Sequence, residues 1–421
     1  MREIDTTMNG NGRFSGTALA LALATGATVA HAECGIEEGS VRILSNDFEA
    51  LHIVAERAEE CAGGAVNVTK DQTTEHKTLQ VPALSVNPAS YTVAIVANNS
   101  IVPLLNDDLV RPLDELVEKY GQDLSESQLI RIDGRVMAIA FMANAQHLYY
   151  REDLLEEVGL EVPKSYEAVL EAAETLRETG GIEAPLAATL KPGWDLAAEF
   201  VNMYMGLDGE FFEPGSAVSA IENDEGVLAL ETIKRMTDYM DPDYLTFDTN
   251  EIKPYWEAGE VALMNGWGSR ASAFIDEEAP DAAIAASTRF AAAPTVGGGS
   301  TPAAALWWDG FTIARNITDV DAEASFRAMM HALSPDVLEE HAEVAVWLID
   351  GYEPTPAAAG VFATIEAGAR PYPMLPYMGL LHTALGDNLS EFLQGRESAE
   401  QALSDVTRAY TTAARSEGYI E

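Results

Sequence analysis

Apolar residues in the first part of this chain fall into two repeating patterns. Short apolar runs at 41–45, 66–69 and 91–96 predict β-strands, and the last run is apolar at nearly every position, which is typical of a buried parallel strand. Apolar residues spaced by three and four between Phe48 and Ala58 predict one face of an α-helix. Strands that alternate with helices in this way indicate an open α/β sheet.

The segment 131–160 carries the most informative pattern in the chain. An Asp-Gly pair at 133–134 lies between apolar flanks, which predicts a tight hairpin turn. We expect two strands, at 136–141 and 147–150, separated by a break of small and polar residues at 142–146. A long extended segment with such a break is suited to cross between two lobes, and we expect a ligand to bind at this crossing.

The second half is mainly helical, with short apolar runs between the helices. Ser165 is placed to cap a strongly periodic helix, and further helices are predicted at 196–205, 224–239 and 252–258. The remaining strand-like runs are each interrupted by a polar, Trp-containing tetrapeptide: 261–264 ends at Asn265-Gly266-Trp267-Gly268, and 303–313 is broken by Trp307-Trp308-Asp309-Gly310.

Composition changes this picture in one respect, the charge. The 421 residues are 47% hydrophobic and 22% charged, which indicates a soluble globular protein long enough for two domains. The 68 acidic and 25 basic residues give a net charge of −43, which argues against nucleic acid and anionic membranes as partners. We interpret the acidity as a solubility feature, with an acidic site for a cationic ligand as the alternative.

Residues 1–32 have the pattern of a secretory signal peptide. Two arginines precede an apolar run at 18–30, and the run ends in Ala30-His31-Ala32, which predicts cleavage after Ala32. The apolar run is short and rich in small residues, so we do not expect it to span a membrane.

The two cysteines, Cys34 and Cys61, are predicted to form a disulfide. An isolated pair in an exported protein favours a bridge, and the strand at 41–45 and the following helix would bring the two cysteines to the same end of one unit. Two free thiols are the alternative.

The common catalytic and metal-binding motifs are absent. The sequence contains no G-x-S-x-G, no H-E-x-x-H, no P-loop and no C-x-x-C, and its seven histidines show no ligand spacing. We therefore expect a binding protein without cofactor or metal rather than an enzyme.

Polar residues just after predicted strands and tryptophans in loops are the candidate ligand contacts. Ligands of open α/β sheets bind beyond the carboxyl ends of the strands, where the polar groups of 46–47 and 98–100 follow two strands. Helix capping is the alternative for both groups. Trp194 and Trp267 lie beside Gly, Asn or Asp and would stack on sugar rings, with core packing as the alternative.

The tetrapeptide at 307–310 holds two further candidates. Trp307 and Trp308 are adjacent, so on a strand they face opposite ways and at most one meets the ligand. We place Trp308 in the site, with Asp309 as a hydroxyl acceptor. Trp256 and Trp347 are expected in the core. His76, Lys77 and Gln80 are expected on the solvated surface.

Four segments, taken together, resemble one protein family. The segments 109–114 (LVRPLD), 131–160, 247–267 and 310–315 follow one another in the order found in the solute-binding proteins of bacterial ABC importers, in the large family that includes maltose-binding protein. The resemblance covers most of the chain after residue 32. It implies an α/β fold, the two-lobed periplasmic-binding-protein fold of type II, in which each lobe is a mostly parallel sheet flanked by helices and hinge strands join the lobes.

The resemblance also implies domain bounds and site positions. The first lobe would be 33–142 plus 293–320, and the second 143–292 plus 321–421. Asn144 aligns with a crossing residue that often faces the ligand in this family, and Trp267 with the family's Trp after its second-lobe strand. Thr92 and Ala140 depart from the family pattern and leave the ligand open. The candidate ligand-binding residues are Asn46, Asp47, Asn98, Asn99, Asn144, Trp194, Asn265, Trp267, Trp308, Asp309, Tyr352 and Arg370.

These patterns and the resemblance together predict a monomeric periplasmic receptor that captures a sugar or polyol by hinge closure and presents it to the membrane permease subunits of an ABC importer. One alternative is the same fold with a non-sugar solute, such as a sugar acid, a phosphate ester or an amine osmolyte. An uncompensated Arg or Lys in the cleft would favour an anion, and an aromatic cage with carboxylates a cation. The other alternative is a secreted glycoside hydrolase, which requires two carboxylates about 5–10 Å apart.

Overall fold

The computed structural model describes residues 34–276 and 282–421. The strands are β1 (Glu38–Ser45), β2 (Ala65–Gln72), β3 (Val93–Ala97), β4 (Leu129–Ile132), β5 (Arg135–Asn144), β6 (Gln146–Arg151), β7 (Leu186–Ala187), β8 (Leu263–Trp267), β9 (Thr288–Ala291), β10 (Ala305–Ile313), β11 (Val346–Trp347) and β12 (Arg370–Pro371). The longer helices are α1 (Glu49–Glu59), α2 (His76–Ser85), α3 (Ile101–Asn106), α4 (Asp114–Tyr120), α5 (Glu152–Glu157), α6 (Tyr166–Glu178), α7 (Trp194–Gly206), α8 (Asp224–Thr237), α9 (Thr249–Glu257), α10 (Ala282–Ser287), α11 (Asp319–Ala332), α12 (Val337–His341), α13 (Ala359–Glu366), α14 (Met378–Asn388), α15 (Ser390–Leu393) and α16 (Ala399–Ser416).

The strands form two sheets, which confirms the predicted two-lobed α/β fold. The first sheet has the order β11-β5-β10-β3-β1-β2, with β4 on β5 and β12 on β10, and the second has the order β7-β8-β6-β9. The expectation of mostly parallel sheets needs correction. β1 is parallel to β2 and β3, but β10 runs antiparallel to β3 and β5, and β6 runs antiparallel to β8 and β9.

The crossing between the sheets is tighter than predicted. The strand β5 continues to Asn144 instead of breaking at 142, because β10 and β11 supply backbone partners there: Trp307 pairs with Asn144 and Val346 with Ala143. β6 starts at Gln146, so only Ala145, which is fully buried, separates the two sheets. The predicted turn before β5 is present, with Asp133 and Gly134 both at positive φ.

Each sheet has its own apolar core. The first sheet packs against α1 and α11, and the larger second core is built on α6, α7, α8, α14 and α16. We call each sheet with its packed helices a lobe. The predicted bounds assigned 321–421 to the second lobe, but Phe326 and Met329 of α11 are buried against the first sheet. At the start of α6, Ser165 Oγ accepts the Ala168 N–H at 3.2 Å, as predicted.

Two predicted interruptions are regular strand in the structure. β8 runs through Trp267, because residues 263–267 pair with β6. β10 runs through residues 307–310, with only a bulge between Asp309 and Gly310. A Cβ at Gly310 would lie 2.4 Å from the carbonyl oxygen of Ile139, so the bulge leaves room for glycine alone.

The cysteine pair is bonded as predicted. Cys34 and Cys61 form a disulfide with a Cα–Cα distance of 5.7 Å, which links the start of the first lobe to the end of α1. The predicted signal peptide at 1–32 lies outside the described residues. None of the described helices has the length and apolar character needed to cross a membrane.

Candidate functional site

A cavity of about 140 Å³ lies between the two lobes, next to the crossing from β5 to β6. The first lobe lines it with groups at the ends of β1 and β3, at the start of α2, and on β10, while the second lobe contributes the start of α7 and the end of β8. The lining residues are Asn46, Phe48, His76, Lys77, Ala97, Asn99, Asn144, Trp194, Trp267, Ser269, Arg270, Trp307 and Asp309. The cavity is therefore at the carboxyl ends of parallel strands, where α/β sheets bind ligands.

Three tryptophans form one side of the cavity, which we call the aromatic wall: Trp194, Trp267 and Trp307. Their ring centroids lie 5.7–6.0 Å apart in all three pairs. Trp307 also stacks on Tyr372 at 4.2 Å. Because these rings already pack on one another, the wall exists before any ligand arrives.

The position of Trp194 depends on the glycine that precedes it. Gly193 has φ +103°, a conformation open to glycine and rare for other residues. Its N–H donates to the carbonyl oxygen of Gly386 in α14 at 3.1 Å. A Cβ on Gly386 would lie 2.2 Å from the Gly193 carbonyl oxygen. The close approach of these two glycines seats the start of α7, and with it the indole, at the cavity.

A second group of lining residues, which we call the polar wall, consists of Asn46, Asn99, Lys77 and Asp309. The buried Oδ1 of Asn99 accepts no hydrogen bond within the described residues, and the same part of the chain offers no acceptor to the buried Nε1 groups of Trp194 and Trp307. A buried polar group without a partner costs about 1–3 kcal/mol, so a solute that bonds to it would remove that cost. These atoms can bind the hydroxyl groups of a solute.

The charged groups of the cavity have pKa values that burial shifts and that neighbouring charges modify. The ammonium of Lys77 lies 4.3 Å from the ring centroid of Trp194, in the other lobe. Burial lowers the pKa of Lys77 to about 8, although the charges of Asp309 and Asp195 oppose the shift. Burial raises the pKa of Asp309 to about 7, against the opposing charge of Lys77. Burial, with a contribution from Asp248, raises the pKa of Asp195 to about 6.

A second cation–ring contact crosses the cleft in the opposite direction. Arg270 of the second lobe lies over the ring of Phe48 of the first lobe, at 5.5 Å. Lys77 and Arg270 thus each reach from one lobe to an aromatic ring of the other, so the two lobes are in contact across the cavity.

Asn144 lines the cavity and also holds the crossing together. Its Nδ2 donates to Ser269 Oγ at 3.0 Å, and its Oδ1 accepts the Ser269 N–H at 3.0 Å. The amide of the last residue of β5 is therefore fully engaged with the second lobe.

Of the sequence candidates, six line the cavity: Asn46, Asn99, Asn144, Trp194, Trp267 and Asp309. Asn46 is not the predicted helix cap. Its Oδ1 accepts the Asp47 N–H at 2.9 Å, and no side chain caps α1, which begins after Phe48. Ligand binding by these six residues stays a prediction.

The other six candidates have different positions. Asn98 joins β3 to β10 through hydrogen bonds with the backbone of Leu306 and Trp308, and Asp47 is exposed and contacts His52. Trp308 packs against the apolar cluster on the far side of β10, so Trp307 replaces it in the candidate site.

The remaining three candidates lie in the second-lobe core, in a loop and in the short strand β12. Asn265 is buried and donates to Gln146 and Glu199, Tyr352 stacks on Phe362, and Arg370 donates to the carbonyl oxygen of Met205 at 3.0 Å. None of them lines the cavity.

Several lining residues were missed from the sequence. Phe48, Ser269 and Arg270 carried no local signal, while His76 and Lys77 were expected on the surface. The one usable signal was strand alternation, which restricted the choice to Trp307 or Trp308 and left the selection to the register of β10.

Comparison with known proteins identifies relatives. The family model for bacterial extracellular solute-binding proteins matches residues 59–329. A probable ABC transporter-binding protein of Deinococcus radiodurans is 27% identical over 281 residues, which is 61% of this chain. The match spans 65% of that relative's length, slightly less than two thirds.

Solved structures share the fold. Maltose-bound MalE3 of T. maritima superimposes with a TM-score of 0.76 at 18% identity, over 89% of this chain and 99% of its own. A solute-binding protein of Agrobacterium radiobacter K84 in complex with ribitol gives 0.75 at 18% identity, over 89% and 98%. One from Agrobacterium vitis S4 with D-mannitol gives 0.73 at 19% identity, over 91% and 100%.

Proposed function

The chain belongs to the bacterial extracellular solute-binding proteins, and on this premise we propose that it is the periplasmic receptor of an ABC importer and captures a sugar or polyol between its two lobes. The observation that carries the proposal is the cavity at the crossing, which combines an aromatic wall with buried polar atoms of Asn99, Trp194 and Trp307 that have no partner within the described residues. Indole faces stack on the apolar faces of sugar rings. The amide oxygen of Asn99 can accept a hydrogen bond from a hydroxyl, and the indole N–H groups of Trp194 and Trp307 can donate to one.

The size of the cavity sets the size of the solute. A cavity of about 140 Å³ is small beside the clefts of roughly 300–1,000 Å³ that hold drug-sized ligands. It therefore suits a single sugar unit or a short polyol, held between the two lobes. Maltose, ribitol and D-mannitol are bound by the similar solved structures, which agrees with a carbohydrate as the class of solute.

Closure of the lobes is the signal that the receptor would pass on. The contacts Lys77–Trp194 and Arg270–Phe48 join the lobes across the cavity. The closed form would present both lobes to the permease subunits in the membrane, and the receptor would act as an exported monomer without catalysis. The hinge is the crossing at Ala145.

Thermal unfolding with a solute panel tests the proposal. A ligand that binds only the folded state adds about 2.7 kcal/mol of stability at a hundredfold excess over the dissociation constant. We expect a rise in Tm with at least one monosaccharide, sugar derivative or polyol, and a much smaller rise in the Trp194→Ala variant. A panel in which only amines, peptides or inorganic ions raise the Tm would contradict the carbohydrate assignment.

A further inference from the structure

The cavity has a charge balance opposite to that of the chain. The sequence holds 68 acidic and 25 basic residues. The cavity, in contrast, is lined by two cations, Lys77 and Arg270, and one carboxylate, Asp309. Two cations beside one carboxylate in so acidic a chain call for an explanation.

Arg270 is unusual among the arginines. It is partly buried, and within the described residues its guanidinium makes no hydrogen bond and no ion pair within 4.0 Å. It lies over the Phe48 ring, and the carboxylates of Asp248, Asp47 and Glu49 act on it only from a greater distance. Arg57 and Arg151, by contrast, each hold a carboxylate at 2.9 Å or less. A guanidinium has five N–H donors in a planar fork that fits a carboxylate. The contact with Phe48 uses the face of that plane and leaves the donors at its edge.

Lys77 is the second cation without an ion pair. Its ammonium rests on the Trp194 ring, and no carboxylate of the described residues lies within 4.0 Å of it. With a pKa of about 8, Lys77 remains charged at pH 7, while Asp309, with a pKa of about 7, is partly protonated. His76 is neutral, because burial lowers its pKa to about 4. The lining as a whole is therefore positive at neutral pH.

We propose that the solute is a polyhydroxylated monoanion, a sugar acid, whose carboxylate is bound by Arg270 with Lys77 as the second cation of the cavity. The hydroxylated part lies on the aromatic wall and meets the amide of Asn99. This inference rests on the proposed function and narrows its substrate class from carbohydrates to aldonates and uronates. One added negative charge compensates the cations, whereas a phosphate ester adds about two.

The aromatic wall does not form a site for a cation. The three indoles contact one another, so no gap remains between them for an ammonium group. The Trp194 face also carries Lys77, which would repel a cationic ligand. A neutral sugar, in turn, would leave the partly buried guanidinium of Arg270 with no carboxylate of the described residues within 4.0 Å.

Calorimetric titration of matched solutes tests the inference. Gluconate, galactonate, glucuronate and galacturonate are compared with the neutral counterparts sorbitol, galactitol, glucose and galactose, and with glucose 6-phosphate and choline. We expect at least one sugar acid to bind tenfold or more tighter than its neutral counterpart. Tighter binding of the phosphate ester, of choline or of the neutral partners would overturn the inference.

Variants connect the preference to the two cations. Arg270→Gln should weaken binding of the sugar acid about 100-fold and binding of its neutral counterpart about tenfold or less, because the neutral solute loses only the contact between the lobes at Phe48. Lys77→Gln, in the other lobe, should weaken binding of the sugar acid about tenfold and binding of the neutral counterpart less. Arg289→Gln is the matched control, because Arg289 is a second-lobe arginine paired with Glu152 outside the cavity. Circular dichroism and Tm confirm that each variant is folded.

The outcomes separate the two proposals. Equal affinity for acid and neutral sugar, unchanged in Arg270→Gln, overturns the sugar-acid inference and leaves the carbohydrate receptor standing. Binding of neither class, with the Trp194→Ala variant indistinguishable from the parent, overturns both.

Discussion

The two walls of the cavity differ in how complete they are without a solute. On the aromatic wall, Trp194 contacts Trp267, Trp307 and His382, so each ring is held by its neighbours. On the polar wall, the buried Oδ1 of Asn99 accepts no hydrogen bond from the described residues, and Lys77 has no ion pair among them. The aromatic wall therefore supplies a fixed shape, in which only the Nε1 groups of Trp194 and Trp307 lack an acceptor within the described residues. The polar wall and Arg270 supply the remaining groups that can bind a solute.

The two lobes also differ in the interactions that stabilise them. The first lobe has the disulfide at Cys34 and Cys61, while the second depends on a larger apolar core with a buried polar network around Glu199. Each difference can be tested by changing one partner.

The largest effect should come from the disulfide. We expect replacement of both cysteines by serine to lower the free energy of unfolding by about 3–4 kcal/mol, because the unfolded chain loses a loop constraint. Hydrogen exchange should show faster opening of β1 and α1 and little change in α7. Ligand affinity should be unchanged at temperatures where the variant is folded. Equal loss of protection in both lobes would mean that they unfold as one unit.

The next effect concerns the polar network behind the aromatic wall. Glu199 in α7 is buried and accepts hydrogen bonds from Gln146, Thr189 and Asn265. Burial raises its pKa to about 7, against the opposing effect of these hydrogen bonds. The folded state therefore favours the protonated form. Its contribution to stability is present at pH 4–5 and is lost as the pH rises toward 7, by on the order of 3 kcal/mol.

The variant Glu199→Gln should remove this part of the pH dependence. Denaturant unfolding between pH 4.5 and 8 measures it, with the exposed Glu213→Gln as control. A residual slope of the same sign should remain, because Asp309 and Asp195 also have raised pKa values. An unchanged slope in Glu199→Gln would show that the carboxylate is compensated in the folded state.

Loss of one indole should weaken binding strongly. We expect Trp194→Ala to reduce ligand affinity about 100-fold, or about 2.7 kcal/mol, because it removes both a stacking surface and the rest for Lys77. Trp308→Ala is the matched control, because it also removes an indole, but from the side of β10 that faces away from the cavity. It should lower stability without changing affinity. Equal effects on affinity would mean that Trp194 acts through the fold.

The smallest loss of stability and affinity should come from substitutions at the crossing between β5 and β6. Asn144→Ala removes two hydrogen bonds to Ser269, each worth about 0.5–1.5 kcal/mol. It should lower the free energy of unfolding of the apo protein by about that amount and weaken ligand affinity by about tenfold or less. Ser269→Ala removes only the bond to the hydroxyl and should have about half the effect on stability. A large loss of affinity with no loss of stability would make Asn144 a direct ligand contact instead.

Sequence patterns predicted the elements and the edge of the sheet that holds the cavity. The rule for carboxyl ends placed 46–47 and 98–99 at the cleft, but turn geometry decided that Asn46 and Asn99 face it while Asp47 and Asn98 do not. Local residue preferences marked breaks at 142 and 265, where pairing with strands distant in sequence keeps the chain extended.

The residues that sequence reasoning missed depend on contacts between the lobes. Lys77 follows a polar stretch typical of surface, and only the position of Trp194 across the cleft makes it part of a site. Trp307 and Trp308 were equivalent by alternation until the bulge at Asp309 and Gly310 set the register of β10. Tyr352 lies in a connecting segment and Arg370 in the two-residue strand β12, and neither is long enough to show a periodic pattern.

The acidic exterior has a kinetic consequence. A chain with a net charge of −43 repels an approaching anion within the Debye length, the distance beyond which dissolved ions screen the charge. That distance is about 30 Å at 0.01 M ionic strength and about 8 Å at 0.15 M. For a sugar acid, the association rate constant should therefore rise as salt is added, and a salty medium would favour fast capture by the same surface charge that keeps the protein in solution.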